Sequence, residues 1–276
     1  MQTRSIVKTV VGQPAIDGAG VRLVRVLGHS DVYDFDPFLM LDSFDSQNPA
    51  DYIRGFPFHP HRGIETITYL AEGRIDHKDS LGNSDSILSG HAQWMTAGSG
   101  IMHEEMPKPA PLMLGLQLWL NLPKSEKMTT PKYLAITSEM TPVVEADGVT
   151  VKVISGSYGG KIGVSPPHIT ASIYEVNLEA GKSITLPTAQ GETVFIFLMR
   201  GEAVIDNKNI PQKTAVLFGE GSAIEVSAHK NAPLKFIFFS APPLREPIAW
   251  GGPIVMNTKA ELNHAFDELR KGTFIK

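Results

Sequence analysis

Short apolar runs separated by glycine and proline turns are the feature that most restricts the fold of this 276-residue chain. The chain contains 25 glycines and 20 prolines, which are spread along its whole length. Strand-like runs spaced about 8–12 residues apart, with turn residues between them, are typical of an all-β sandwich or barrel. The sequence therefore predicts many short strands, among them residues 21–26, 65–70, 112–121, 149–154, 172–176, 193–198, 203–206, 215–218 and 234–239.

The stretch 111–122 shows the strand period most clearly. Leucine occupies every even position from Leu112 to Leu120, so these leucines share one face of the predicted strand. Gln117 and Asn121 interrupt the apolar character, and the stretch is too short to span a bilayer. We interpret it as a strand of a soluble protein.

One segment near the C-terminus departs from the strand pattern. Residues 258–261 form a capping-box sequence, with Thr258 or the preceding Asn257 as the N-cap. Leucine and phenylalanine follow at helical spacing, and Gly272 fits the position just beyond a helix C-terminus. The segment predicts a closing helix over 258–271 whose apolar stripe packs on the barrel.

A weak internal repeat indicates two copies of one β-barrel. Residues 65–76 resemble residues 192–206, because each reads as strand, glycine turn, strand, and a further strand with a Gly-rich turn follows. We expect a first domain over 1–135 and a second over 136–276 that carries the closing helix. The pattern leaves open whether the N-terminal strand or the C-terminal tail crosses over to the other barrel.

Composition excludes several classes of protein. The formal net charge of −4 argues against a generic nucleic-acid binder, which needs a basic stripe for phosphates. The chain has no cysteine, so disulfides, thiolate nucleophiles and cysteine-ligated metals are excluded. The N-terminus lacks the apolar core of a signal peptide. We expect a cytoplasmic protein, also nuclear if its source is eukaryotic, with no membrane partner.

Two short segments carry candidate metal ligands two residues apart. His59 and His61 lie in one segment, and His103 and Glu105 lie in the other. A lone histidine is more often a surface or core residue, but residues i and i+2 of a strand share a face, and both pairs flank Gly-rich turns. If the two strands face each other, three imidazoles and one carboxylate converge. Such a set suits a divalent first-row metal and leaves one or two coordination positions open.

The second half of the repeat lacks these ligands. Where the first copy has its two neighbouring histidines, the second has apolar and hydroxyl residues over 186–189. We therefore expect one metal site, in the N-terminal half. His77 and His91 are isolated in sequence, and we expect them to lie on the surface.

The ligand segments resemble the pirin family of the cupin superfamily. Residues 55–66 and 93–107 carry the resemblance, and residues 245–258 before the closing helix are similar to pirins as well. The resemblance extends over nearly the whole chain. It implies two tandem cupin (jelly-roll-like) β-barrels, with a metal in the N-terminal one, usually Fe(II). Mn, Ni, Cu and Zn tolerate the same donor set, so the ligands alone leave the metal open.

The resemblance implies a ligand set of His59, His61, His103 and Glu105. Typical cupins instead take their carboxylate from a His-x-His-x-x-x-Glu motif, which would be Glu65. Glu65 has the same strand parity as the first two histidines, so parity does not reject it. The pirin pattern favours Glu105, with Glu65 bound to a ligand imidazole or at the edge of the core.

Some pirins resemble quercetinases in activity, which implies a flavonol 2,3-dioxygenase. A flavonol would bind as its flavonolate, react with O₂ and lose CO. Glu105 would shift off the metal, or stay bound and accept the flavonol proton as general base. Aromatic and methionine side chains near the ligands are candidates for an apolar pocket, although plain barrel core explains at least half of them. These residues are Phe56, Phe58, Met95, Met102 and Met106.

A second hypothesis comes from a different class of protein. Some pirins act as iron- or redox-responsive regulators through protein–protein contacts, which need the same ligands but no substrate pocket. A metal-bearing relic with neither role is the third. We expect a monomer, because a two-barrel chain already buries one cupin face within itself.

Overall fold

The computed structural model describes residues 2–276, and most of them lie in β-strands. The predicted all-β architecture with one C-terminal helix is confirmed. In chain order the strands are β1 (Ile6–Val11), β2 (Gln13–Asp17), β3 (Val21–Leu27), β4 (Phe38–Ser46), β5 (Phe56–His61), β6 (Ile64–Glu72), β7 (Arg74–Asp79), β8 (Ser84–Leu88), β9 (Ala92–Thr96), β10 (Ile101–Pro107), β11 (Met113–Asn121), β12 (Lys132–Ile136), β13 (Val143–Ala146), β14 (Val149–Ser155), β15 (Ser157–Tyr158), β16 (Lys161–Ile162), β17 (Ser172–Leu178), β18 (Ser183–Pro187), β19 (Thr193–Arg200), β20 (Ala203–Ile205), β21 (Lys208–Ile210), β22 (Thr214–Phe218), β23 (Ala223–Ala228), β24 (Leu234–Ala241), β25 (Ala249–Gly251) and β26 (Ile254–Met256), followed by helix α1 (Lys259–Lys271).

The described residues form two compact units. One unit comprises residues 14–25, 38–137 and 244–276, and we call it the histidine unit because it contains the candidate ligands. The other comprises residues 2–13, 26–37 and 138–243, and we call it the apolar unit.

The histidine unit is built on two sheets. Its seven-stranded sheet has the order β12-β9-β6-β11-β4-β3-β2, and its four-stranded sheet has the order β5-β10-β7-β8. Strands β6 and β11 are buried along almost their whole length, as expected for strands at the centre of a sheet. The two candidate ligand segments are the neighbouring strands β5 and β10 of the smaller sheet.

The apolar unit repeats this topology position by position. Its seven-stranded sheet has the order β1-β22-β19-β24-β17-β14-β13, and its four-stranded sheet has the order β18-β23-β20-β21. The predicted repeat of β6 and β7 in β19 and β20 is therefore a real correspondence of strands. β1 fills the edge position that β12 fills in the histidine unit.

The apolar unit buries hydrocarbon side chains on the strands that correspond to the ligand strands. β18 and β23 pair antiparallel, as β5 and β10 do, and Leu186 lies directly opposite Ile224. Both residues belong to a continuous apolar core with no exposed surface. Apolar packing thus takes the place that the histidine pairs occupy in the other unit.

Helix α1 begins and ends as its capping sequence predicts. The Thr258 hydroxyl accepts a hydrogen bond from the Glu261 amide at 3.2 Å, and the Glu261 carboxylate accepts one from the Thr258 amide at 2.8 Å. Gly272 ends the helix at φ +69°, a conformation that glycine adopts without strain. The apolar stripe packs against β26 and Phe274, within the histidine unit. Over residues 2–276, no helix is long and apolar enough to cross a membrane.

Candidate metal centre

Three histidines converge at the pairing of β5 with β10. His103 lies directly opposite His59 in this antiparallel pair, and His61 lies opposite Ile101. Residues that face each other across a ladder project from the same side, so the three rings share one face. Their candidate ligand nitrogens all lie within 4.8 Å of one another. The three histidines therefore form a group that can hold a metal ion.

Backbone carbonyls orient two of the rings. The Nδ1 atom of His59 lies 2.9 Å from the Pro57 carbonyl oxygen, and the Nδ1 atom of His61 lies 3.0 Å from that of Pro253. A carbonyl oxygen only accepts, so each Nδ1 carries the proton and, in the neutral ring, each Nε2 offers a lone pair. The two Nε2 atoms face each other at 3.0 Å.

Two lone pairs at this separation repel each other unless a cation lies between or beside them, so the arrangement fits a metal. His103 supports the same reading, because both of its ring nitrogens are buried and have no hydrogen-bond partner. A buried polar atom without a partner is costly, and coordination would satisfy one of the two nitrogens.

Burial keeps the rings of His61 and His103 in the neutral form. Desolvation, with a smaller contribution from His59, lowers the pKa of His61 to about 3. Burial also holds the pKa of His103 well below its usual value. Metal ligation requires the unprotonated imidazole, so at neutral pH these two rings need to lose no proton to bind a metal.

Three side chains hold the Glu105 carboxylate. Its Oε1 atom accepts hydrogen bonds from the Thr68 hydroxyl at 2.8 Å and from the Gln93 amide at 2.6 Å, whereas Oε2 accepts one from Gln117 at 3.1 Å. Glu105 does not belong to the compact group of three histidines. Oε2 has one donor, and a carboxylate oxygen has two lone pairs, so Oε2 retains capacity for a cation or a proton.

Glu65 lies on the other face of β6. Across the ladders, Thr68 is opposite Gln117, whereas Glu65 is opposite Leu120 and Thr96. Positions 65 and 68 differ in parity, so the Glu65 side chain points away from the face that carries the partners of Glu105. Its Oε1 accepts from the Thr96 hydroxyl at 2.8 Å, and burial raises its pKa to about 7.

Strand parity could not decide the role of Glu65 from the sequence, because the argument treats residues 59–65 as one strand. The turn between β5 and β6 places the two strands in different sheets, with Gly63 at φ +76°. Face alternation is lost across such a turn. Glu65 pairs with Thr96, and the structure gives it no hydrogen bond to a ligand imidazole.

The structure divides the candidate pocket residues between the two faces of their strands. Met102 and Met106 alternate with the buried residues of β10 and are partly exposed, so they lie on the face opposite to His103. Phe58 alternates with His59 in the same way and is 50% exposed. Met95 is opposite Thr66, on the same face as Gln93, and is fully buried.

Phe56, the remaining candidate for the pocket, packs against the apolar core of the histidine unit. Its ring centroid lies 6.2 Å from that of Phe44. It therefore acts as core, as the plain packing explanation holds.

The sequence reasoning also misplaced His77, which is fully buried. Its ring stacks on Tyr133 at 4.5 Å and lies 5.5 Å from the His103 ring. Its Nε2 atom is 3.1 Å from the Asp79 carboxylate. Strand parity was the signal in the sequence that could have located His77. His77 and Asp79 share parity with the apolar residue Ile75, and all three are buried in β7.

Sequence reasoning missed the polar side chains that surround Glu105. Thr68, Gln93 and Gln117 sit on three neighbouring strands of the seven-stranded sheet, in direct register. The signal for Gln117 was present, since it faces away from the leucines of the alternating stretch. Thr68 and Gln93 stand in strands whose pairing the sequence alone does not reveal.

Comparison with known proteins adds an independent finding. The Pirin family model matches residues 20–120, and the model for the pirin C-terminal cupin domain matches residues 173–275. A pirin-like protein of Caulobacter vibrioides is 41% identical over 99% of this chain and 100% of its own. A putative quercetin 2,3-dioxygenase of Pseudomonas aeruginosa is also 41% identical, over 98% of this chain and 97% of its own.

Solved structures agree with the fold. A quercetin 2,3-dioxygenase from Acinetobacter baumannii superposes with a TM-score of 0.90 at 32% identity, covering 99% of this chain and 98% of its own. A bacterial pirin from Escherichia coli, solved in complex with nickel(II), is 22% identical with a TM-score of 0.66. The latter covers 86% of this chain and 99% of its own, and at that identity it bears on the fold alone.

Proposed function

The chain belongs to the pirin family, with two tandem cupin domains, and on this premise we propose that it is a metal-dependent flavonol 2,3-dioxygenase. The observation that carries the proposal is the facing pair of Nε2 atoms of His59 and His61, 3.0 Å apart, beside the unpartnered nitrogens of His103. These three histidines and Glu105 would hold the metal, with Fe(II) as the first choice. Names of the relatives in Pseudomonas and Acinetobacter support the flavonol as substrate class.

A bound iron would supply the one-electron and O₂ chemistry that amino-acid side chains lack. The chain's own part is to bind the flavonol, orient it and take its proton. Oε2 of Glu105 has one lone pair left, which can hold the metal or this proton but not both. In the proton transfer Glu105 would therefore stand off the metal: the O–H bond of the flavonol 3-hydroxyl breaks and an O–H bond forms on Oε2. Thr68 and Gln93 hold the other oxygen in place meanwhile.

Two tryptophans provide a flat apolar wall beside His61. The Trp119 ring meets the His61 ring edge-on with centroids 4.9 Å apart, and Trp250 lies 5.7 Å from Trp119. Aromatic side chains favour the stacked and edge-on contacts that a planar aromatic ligand offers. His59 is partly exposed while His61 and His103 are buried, so the open side of the centre lies at His59.

Replacement of each glutamate by glutamine, in separate variants, tests which carboxylate binds the metal. We expect Glu105→Gln to lower metal affinity by at least about tenfold, because the neutral amide is a weaker ligand and clashes with the Gln117 donor. Glu65→Gln, on the opposite face, serves as the matched control and should leave metal content unchanged. Metal analysis after dialysis compares the two variants. Equal losses would reverse the assignment.

Oxygen uptake tests the enzymatic proposal. The protein is loaded anaerobically with Fe(II), quercetin is added, and O₂ consumption and CO release are followed, with His61→Ala as control. We expect both signals in the loaded parent and neither in the variant. Stoichiometric iron binding without turnover would reject the dioxygenase and favour a regulator.

One observation favours that second candidate. The outer face of the two ligand strands carries Phe58, Met102 and Met106, and Phe58 is half exposed. An exposed apolar surface on the strands that hold the metal is suited to a protein partner that responds to metal state. Partner binding that changes between Fe(II) and Fe(III) and weakens in a Phe58→Ser variant would support this candidate.

A further inference from the structure

The C-terminal segment 249–276, here called the C-terminal strap, packs around the residues that directly follow His61. We propose that the strap sets the metal affinity of the centre by orienting His61, and that metal binding in return holds the strap in place. The inference rests on the proposed metal site but not on any enzymatic turnover. It assigns a positioning role to Arg62 and Glu268.

The strap orients His61 through one carbonyl. Pro253 lies in the turn between β25 and β26, and its carbonyl oxygen accepts from Nδ1 of His61 at 3.0 Å. This bond selects the tautomer in which Nε2 is free for a metal. Loss of such an outer partner lowers metal affinity by about 10–100-fold in known metal sites. The position of Pro253 therefore bears directly on the ligand.

Arg62 ties the same residues to the far end of the strap. It is 1% exposed, and its Nη1 donates to Glu268 of α1 at 2.5 Å while Nη2 donates to the Phe274 carbonyl at 2.9 Å. Its Nε donates to the Ser99 carbonyl at 2.7 Å, and its guanidinium lies 4.1 Å from the centre of the Phe274 ring. A buried arginine with all these partners has one orientation available.

Hydrogen bonds also join the backbone of residues 62 and 63 to the strap at Val255, and we call this contact the seam. The Val255 amide donates to the Arg62 carbonyl at 3.1 Å. The Lys127 ammonium, itself 2% exposed, donates to the carbonyls of Gly63 at 2.8 Å and Val255 at 2.9 Å. Residues 61–63 thus have no freedom to move without moving the strap.

The charge on Glu268 is secure at neutral pH. A hydrogen bond from Lys276 and a second from Arg62 lower the pKa of Glu268 to about 2. Ionised Glu268 therefore stabilises the folded state at pH values above the pKa that it has in the unfolded chain. This contribution is lost only as the pH falls towards 2. The ion pair with Arg62 is nearly buried, so removal of its charge leaves an uncompensated guanidinium.

Coupling between two sites is reciprocal. If docking of the strap strengthens metal binding by some factor, metal binding strengthens docking by the same factor. α1 would then be the surface element that senses metal occupancy. The measurable consequence is a change in hydrogen exchange along α1 when metal binds at β5 and β10.

Glu268→Gln in the full-length chain is the test, with Ni(II) as probe. The variant keeps the side-chain volume and removes the charge that faces Arg62. We expect its Kd for Ni(II) to rise about tenfold or more. In the metal-free variant, amide hydrogen exchange in α1 should be faster than in the metal-free parent, and it should slow when Ni(II) binds. Asp267→Asn, an exposed neighbour paired with Arg270 on the same helix, is the control and should behave as the parent.

Arg62→Lys is the second variant, for the case in which Glu268→Gln fails to fold. It keeps the positive charge but loses the fork that reaches Glu268 and Phe274 together. We expect weaker Ni(II) binding with an unchanged strand signal in circular dichroism. Kd values within twofold of the parent in the folded variants, or α1 exchange that ignores Ni(II), would overturn the inference.

The outcomes separate this inference from the proposed function. A parent that binds no Ni(II) contradicts the metal centre and the strap coupling together. A parent that binds Ni(II) with coupled exchange, yet fails to turn over quercetin with iron, contradicts the dioxygenase alone.

Discussion

Replacement of His61 by alanine is expected to remove most of the bound metal while the fold persists. His61 is 2% exposed and contributes a free Nε2 to the centre, so its loss removes a ligand and leaves His59 without its facing partner. Loss of a direct ligand should lower metal affinity by more than about 100-fold, because removal of a residue that only orients a ligand already lowers it by up to about 100-fold. Metal analysis and circular dichroism on the same sample measure both properties.

The fold should survive because the cores of both units consist of hydrocarbon side chains. The core cluster beside β3 and β11 in the histidine unit includes Val21, Leu70 and Met113, none of which depends on a metal. An alanine variant of the exposed His29 is the matched control and should keep its metal. Global unfolding of the His61 variant would instead mark the metal as a structural element.

Gly63→Ala should be strongly destabilising in the histidine unit. A Cβ at Gly63 would lie 2.0 Å from the Val255 carbonyl oxygen, and the residue stands at φ +76°. The clash is with a backbone atom, in the seam between the turn that joins β5 to β6 and the C-terminal strap. No side-chain rotation relieves it. We expect a loss of about 3 kcal/mol or more in the free energy of unfolding, the sum of backbone strain and overpacking.

Gly82→Ala separates the clash from the backbone strain. Gly82 stands at φ +90°, and nothing lies within 4 Å of the position of its Cβ. This variant should lose only about 1 kcal/mol, the penalty of the left-handed conformation. Urea denaturation of both variants gives the difference. Equal losses would show that the seam yields, and the tight docking of the strap would be refuted.

Local periodicity accounts for the elements that were predicted well. The even-numbered leucines from Leu114 to Leu120 lie in β11, and the capping box at Thr258 opens α1. Both signals depend only on neighbours along the chain. The repeat of 65–76 in 192–206 likewise reappears as equal strand order in the two units, because equal patterns of buried faces pack in equal ways.

Questions that required knowledge of strand partners could not be decided from the sequence. Parity alone could not reject Glu65 as a ligand, whereas in the structure the turn at Gly63 carries the chain into another sheet. His77 was expected on the surface, yet β7 borders β10 and buries it beside His103. Phe58 and Met102 were candidates for a pocket at the ligands, but they alternate with the ligands along their strands and lie on the opposite face.

From sequence alone came the strand content, the closing helix and two histidine-bearing segments whose residues share a face. Those properties follow from spacing within single strands, which short-range geometry governs. The partners of the site came only from packing: Pro253 reaches His61 across 192 residues, and Glu268 reaches Arg62 across 206. Contacts between residues so far apart produce no repeating pattern in the sequence, because they form only when the whole chain packs. The assignment of each terminal segment to its unit is of the same kind.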